Sequence, residues 1–237
     1  MMEGKADTRL ELLITIVDYS LRKVLRDLYK RIKLPFYLQS QGYGSAESEI
    51  YDLLGFGSPK KIFAISIQNA TTARRILAAL YGRIGFDQPG TGIAFTISLS
   101  SVTSSLWKIS NQACDLDQIK TEKEALPMEL KEPYDLVVAI VNRGHSELVM
   151  EAAKGAGATG GTLLHALGLG SKEAEKFLGI AIQSEKDVIL ILTPREKKAA
   201  IMEQIAHEAG MHTAGKGICF SLPVNTALGL EPRLELE

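Results

Sequence analysis

The feature that most constrains this chain is that it repeats itself. Read against each other, its two halves show the same landmarks in the same order. Ile16 and Val17 return as Ile140 and Val141; Gly42, Gly44 and Ser45 return as Gly168, Gly170 and Ser171; Leu54-Gly55 returns as Leu178-Gly179. Lys60 answers to Lys186, Ile76 to Ile201, Gly85 to Gly210, and Gly90-x-Gly92-Ile93-x-Phe95 to Gly215-x-Gly217-Ile218-x-Phe220, at an offset of 124 to 126 throughout. One such pair is chance, but an ordered series with glycines at the same breaks is a duplication. The 237 residues therefore divide into two units of one kind, each long enough to close its own core.

Periodicity gives the content of the unit. In the second copy Leu136 to Val141 is a continuous apolar run suited to a central strand, and Leu148, Val149, Ala152 and Ala153 follow at helical spacing. Thr162 to Ala166 and Val188 to Leu192 read as strands, the latter the strongest such signal in the chain. Pro194 suits a first helical turn, Ala199, Ile201, Met202 and Ile205 continue that helix, Gly210 ends it, and Ile218 to Leu222 closes the unit as a strand. The first copy repeats the order with Leu12 to Val17, a helix through Leu21 to Leu28, Phe36 to Leu38, Ile62 to Ile67, a helix through Ile76 to Leu80, and Ile93 to Ile97. Each copy is thus βαββαβ, with domains at residues 9–103 and 134–231. Residues 104–133 form a linker in which Trp107 is expected to pack as an anchor and the run Lys120 to Glu124 to make a solvated helix.

Bulk properties exclude several classes. Twenty-seven basic residues nearly cancel 28 acidic ones, so no field surrounds the whole molecule to concentrate nucleic acid. Cys114 and Cys219 lack metal-ligand spacing. The N-terminus carries no signal-peptide core, and no apolar run approaches the roughly 18 residues of a membrane span, which makes the cytoplasm the expected compartment. His165, His207 and His212 do not form a helical ligand pair, and no acid/base set or nucleophile recurs in both copies, so no metal site and no catalytic residue is assigned and a non-enzymatic role is expected.

In the second copy Asp135 to Val141, Gly168-Leu-Gly170 before a loop, Lys186 ahead of a strand, and Gly215-Lys-Gly217-Ile-Cys-Phe-Ser-Leu-Pro223 follow one another in order. In that order the copy resembles the PII signal-transduction family along its length. The resemblance covers about 95 residues there and, more weakly, about 90 in the first copy. It implies an α+β fold of two tandem ferredoxin-like domains with antiparallel sheets. It also implies subunits around clefts that take ATP, ADP or 2-oxoglutarate and signal to partner proteins through a long loop. Lys216 and Thr91 stand where the family has an aspartate, and Gly229 and Glu231 align with its phosphate-binding arginines. Ala46 to Leu54 and Lys172 to Leu178, which occupy the long loop, read as helical and end in Leu-Gly.

Glycines on both sides of one residue let backbone N–H groups face outward as an anion-binding nest. Gly215, Lys216 and Gly217 are therefore the expected anion cradle, Gly90, Thr91 and Gly92 its weaker counterpart, and Gly168, Gly170 and Lys186 complete the set. The competing reading is that these glycines serve a tight approach to a strand. Two roles follow: a sensor of a small anionic effector such as an adenine nucleotide or 2-oxoglutarate, or a ligand-free scaffold acting by protein contact. Because the strands are apolar on both faces, the sheets need a cover, and a homo-oligomer, trimer or closed dimer, is expected.

Overall fold

The computed structural model describes residues 9–45, 60–86, 90–111, 132–168 and 185–230. These group into two compact units: the described parts of 1–41, 61–131 and 224–237, and those of 42–60 and 132–223. The loop segments Ala46 to Leu54 and Lys172 to Leu178, the run Lys120 to Glu124, Cys114 and Gly170 lie outside the described residues.

In the first unit, β1 (Leu10–Asp18), α1 (Arg22–Arg31), β2 (Tyr37–Gly44), β3 (Lys60–Asn69), α2 (Ala70–Ile84) and β4 (Gly92–Ser98) run in the expected order. The strand order is β2-β3-β1-β4, with β1 antiparallel to both β3 and β4. Alternation along β1 and β3 sends Leu13, Val17, Ile62 and Ala64 to one face, where α1 lays Leu25, Leu28 and Ile32 and α2 lays Ile76, Leu77 and Leu80. Each large apolar side chain among these is worth about 1.5–3 kcal/mol on burial. Tyr29 shares this core, and its hydroxyl lies 3.1 Å from Thr15 Oγ1; burial pushes its pKa up to about 12. Asn69 caps α2 by accepting from the Thr72 N–H at 2.8 Å, and Gly85 ends the helix in the left-handed region. Beyond the repeat, α3 (Ser104–Ser110) leaves Trp107 49% exposed, so Trp107 is not the buried anchor that its composition suggests.

The second unit repeats the topology with β5 (Tyr134–Asn142), α4 (Ser146–Gly155), β6 (Thr162–Leu167), β7 (Glu185–Pro194), α5 (Lys198–Ala209) and β8 (Ile218–Pro223), in the order β6-β7-β5-β8. Val137, Ala139, Val141, Ile189 and Ile191 meet Val149, Ala153, Ile201 and Ile205 of the two helices. Tyr43 and Gly44, the end of β2 that belongs to this second unit, pair with Leu163 and Thr162 of β6. On the opposite sheet face Leu136 and Val138 are buried, whereas Ile218 and Phe220 on β8 stay exposed. Cys219 points to the helical side, where burial pushes its thiol up to about 11, so at neutral pH it is a protonated, unreactive packing group.

One strand has no counterpart in the duplicated pattern. Residues from Val224 onward belong to the first unit, where β9 (Thr226–Leu228) pairs with β4 through Ala94↔Leu228 and Thr96↔Thr226. Leu228 enters the first core, and Asn225 donates to Ser98 Oγ at 2.8 Å and to Glu11 Oε1 at 3.1 Å. Pro223 marks the exit from β8.

The pairing register corrects one correspondence. Asp18 stands opposite Lys61, and Asn142 stands opposite Lys186, so the counterpart of Lys186 is Lys61 and not Lys60. An apolar alternation that starts one residue later hides this shift.

At the start of β5, Asp135 is buried and accepts from Arg195 Nε at 3.0 Å and from Lys198 Nζ. Burial raises its pKa, but the two hydrogen bonds and charges outweigh that and hold it below the usual carboxylate range. A depressed pKa contributes stability that is complete above the unfolded value near ~3.9 and is lost as pH falls through the folded one. Asp135→Asn is expected to cost about 1–2 kcal/mol at neutral pH, discounted because both cations are partly exposed. It should also flatten the loss of stability below about pH 4, as measured by urea midpoints across pH.

Candidate functional site

The expected site residues of the second unit gather at one end of its sheet. There β5 ends in Asn142, β7 begins with Glu185 and Lys186, and the loop 210–217 leads into β8. Asn142 ties them together. Its backbone N–H donates to Gly215 O at 2.8 Å, its Nδ2 to Ala214 O at 3.3 Å, and its Oδ1 accepts from Lys186 Nζ at 2.6 Å. Lys216, half-buried, has a φ of 46°, and its side chain has no partner among the described residues.

The backbone of this loop is not the expected nest. The Gly215 N–H donates to Thr213 Oγ1 at 3.2 Å, Lys216 N–H to Thr213 O at 3.2 Å, and Gly217 N–H to Ala209 O at 2.9 Å. All three donors are satisfied inside the protein, so none remains to face a ligand. The glycines answer to crowding instead: a Cβ at Gly215 would lie 2.9 Å from Ala209 O, and one at Gly217 2.3 Å from the same oxygen. Any anion here would be held by side chains. Gly168 follows the end of β6, half-buried, and Gly170 falls outside the described residues.

A second cluster borders the first. Asp187, with its side chain 2% exposed, accepts from the Gly144 N–H at 2.9 Å and lies 2.9 Å from His165 Nδ1. Arg143 Nε stands 4.0 Å from the same carboxylate, and Nη1 3.9 Å from Glu185. Tyr43 lays its ring beside His165 with centroids 5.4 Å apart. This arrangement fixes the turn 142–145 and thereby Asn142. Neither Asn142 nor Asp187 stands out in the sequence; the only signal is a polar pair at the ends of two adjacent apolar strands. Among the described residues no group of His, Cys, Asp and Glu could hold a metal ion.

Residues 134–232 match the family model described as nitrogen regulatory protein P-II. The match spans the second repeat. Two solved structures are similar to part of the chain. One is Arabidopsis thaliana PII bound to citrate, at 21% identity over 40% of this chain and 77% of that one, TM-score 0.31. The other is a putative PII-like signaling protein from Thermus thermophilus, at 19% identity over 42% and 90%, TM-score 0.32. No curated protein matches the chain.

The first repeat builds the corresponding place differently from the second. Lys61 Nζ donates to Gly90 O at 2.7 Å and stands 3.9 Å from Asp18, whose N–H donates to Thr91 O at 2.9 Å. Burial lowers the Lys61 pKa, partly offset by Asp18. Burial raises that of Asp18, but hydrogen bonds from Ser20 and the charge of Lys61 bring it below the ordinary value. Gly92, with a φ of 142°, packs against the backbone of β1. Here the lysine meets an acid and a carbonyl; in the second repeat the equivalent lysine meets a neutral amide.

Proposed function

We propose that this chain is a PII-like regulatory protein whose second repeat senses a small anionic effector, an adenine nucleotide or 2-oxoglutarate, and signals it to a partner protein. The observation that carries this reading is the exchange of Asp18 for Asn142 at matched positions. Asp18 stands beside Lys61 as a counter-charge, whereas Lys186 bonds to an uncharged Asn142, whose backbone N–H donates to Gly215 O, next in the chain to Lys216. A cation bonded to a neutral group retains its attraction for carboxylate or phosphate. The family is a signalling one, and no side chain is assigned a catalytic role.

Calorimetry and thermal shift with ATP, ADP and 2-oxoglutarate test the reading. One of them is expected to bind saturably, stabilising the fold by about 2.7 kcal/mol at a hundred times its dissociation constant. Asn142→Asp, which copies the first repeat, should weaken that binding about tenfold or more, as should Lys186→Ala. Light scattering on the same preparation is expected to report a homo-oligomer. Saturable binding that Asn142→Asp leaves unchanged would move the ligand elsewhere; no binding at all would leave the second reading. That reading, a scaffold working by protein contact without a ligand, is favoured by the fully satisfied N–H groups of the Gly215 loop.

A further inference from the structure

The near-neutrality of the chain conceals a separation of charge between its two helical layers. In the first unit α1 and α2 carry Arg22, Lys23, Arg26, Lys30, Arg31, Arg74, Arg75 and Arg83 against a single acid, Asp27. The whole chain is nonetheless at −1. All eight cations except half-buried Arg26 are exposed. On the matched helices of the second unit the sign changes. Glu147 replaces Lys23 and Glu208 replaces Arg83; Glu147, Glu151, Glu203 and Glu208 stand against Lys154 and Lys198, the latter engaged by Asp135.

Between α4 and α5 lies an open groove of about 530 Å³. Leu148, Ala152 and Ala200 supply its apolar contacts, and Glu151, Glu203 and Glu208 line it without a cation among the lining residues. Glu208 lies 2.9 Å from His207 Nδ1, but Glu151 and Glu203 have no partner among the described residues. On α1 of the first unit Val24 is 38% exposed, and beside it Lys23, Asp27 and Arg31 follow one another one helical turn apart, with Asp27 itself 3.9 Å from Arg26 Nε, so the cations prevail along this face.

We infer that the basic face of α1 in one copy of this chain docks into the acidic groove between α4 and α5 of another copy. Val24 would seat against Leu148 and Ala152, and Lys23 and Arg31 would meet Glu203 and Glu151, which pairs opposite potentials and covers an exposed apolar side chain. Ridge-in-groove packing suits a helix entering the furrow between two others. Because the two surfaces differ, the contact is head-to-tail, and it propagates into rings or open chains rather than closing as a two-fold pair. It is independent of the effector site, which lies at the loop end of the sheet.

Sedimentation velocity on the full chain tests this at ionic strengths of about 0.01 M and about 1 M, where charges are screened over ~30 Å and ~3 Å. Mean mass is expected to rise with concentration at low salt and to fall back to a fixed species at high salt. Lys23→Glu with Arg31→Glu, and separately Glu151→Lys with Glu203→Lys, should each weaken the low-salt association about tenfold or more. An equimolar mixture of the two variants should restore it, because each then offers the sign the other lost; restoration also shows that both variants are folded. Association insensitive to salt, a variant pair that assembles like wild type, a mixture that fails to recover, or a salt response without change of mass would each overturn the inference.

Discussion

Replacing Gly92 by alanine is expected to destabilise the first unit by about 3 kcal/mol or more, among the largest effects of any single methyl group in the chain. The added Cβ would lie 2.1 Å from Ile16 O and 2.7 Å from Val17 Cα, both backbone atoms of the central strand β1. No side-chain rotation relieves such a clash, and Gly92 is itself paired with Val17 in the ladder, so relief requires β4 to leave β1. Its φ of 142° adds a conformation that an L side chain rarely adopts. Gly144→Ala is the control. Gly144 has a φ of 88°, but an added methyl would meet nothing within 4 Å, so only the backbone penalty of about 1–2 kcal/mol remains. Trp107, the single tryptophan, belongs to the first unit and reports its unfolding by emission in a denaturant titration. Equal effects of the two substitutions, each measured on its own unit, would refute the steric account.

Much of the fold is legible in the sequence because the repeat carries it. A glycine that is needed where β4 approaches β1 is needed again where β8 approaches the end of α5, so Gly92 and Gly217 recur at matched places. The apolar strands β5 and β7 and the helical stripe of α5 are likewise set by burial, and burial follows periodicity. The site is less legible, for a physical reason. Gly-x-Gly is compatible both with a nest and with crowding against a helix end, and the sequence does not say where the N–H groups point. In the structure they point to Thr213 and Ala209. Asn142, which joins Lys186 to the Gly215 loop, gives no local signal because its partners lie 44 and more residues away. The strand β9 is equally silent: Thr226 to Leu228 is too short to signal itself, and its partner β4 lies in the other half of the chain.

Asp187→Ala is expected to cost the second unit about 3 kcal/mol and to disable the proposed effector site together with it. The carboxylate is buried, and removing it leaves the Gly144 N–H and His165 Nδ1 without the acceptor each has at 2.9 Å. A hydrogen bond to a charged group is worth about 1.5–3 kcal/mol. Arg143, at 4.0 Å and 45% exposed, adds little through its charge. The functional consequence comes from position. Asp187 clamps the turn that follows Asn142, and Asn142 in turn holds Lys186 against the Gly215 loop. Under the proposed function, loosening the clamp frees Lys186 from the Gly215 loop, and effector binding should fall more than Lys186→Ala alone would lower it. Asp187→Asn separates the two contributions, since it keeps an oxygen for the Gly144 N–H while discarding the charge; its stability should lie between wild type and Asp187→Ala. Amide exchange at Gly144 gives the local readout, with protection lost in Asp187→Ala and largely kept in Asp187→Asn. Wild-type protection and stability in Asp187→Ala would show that the turn is held by its own backbone, and the link from this buried acid to the site would be broken.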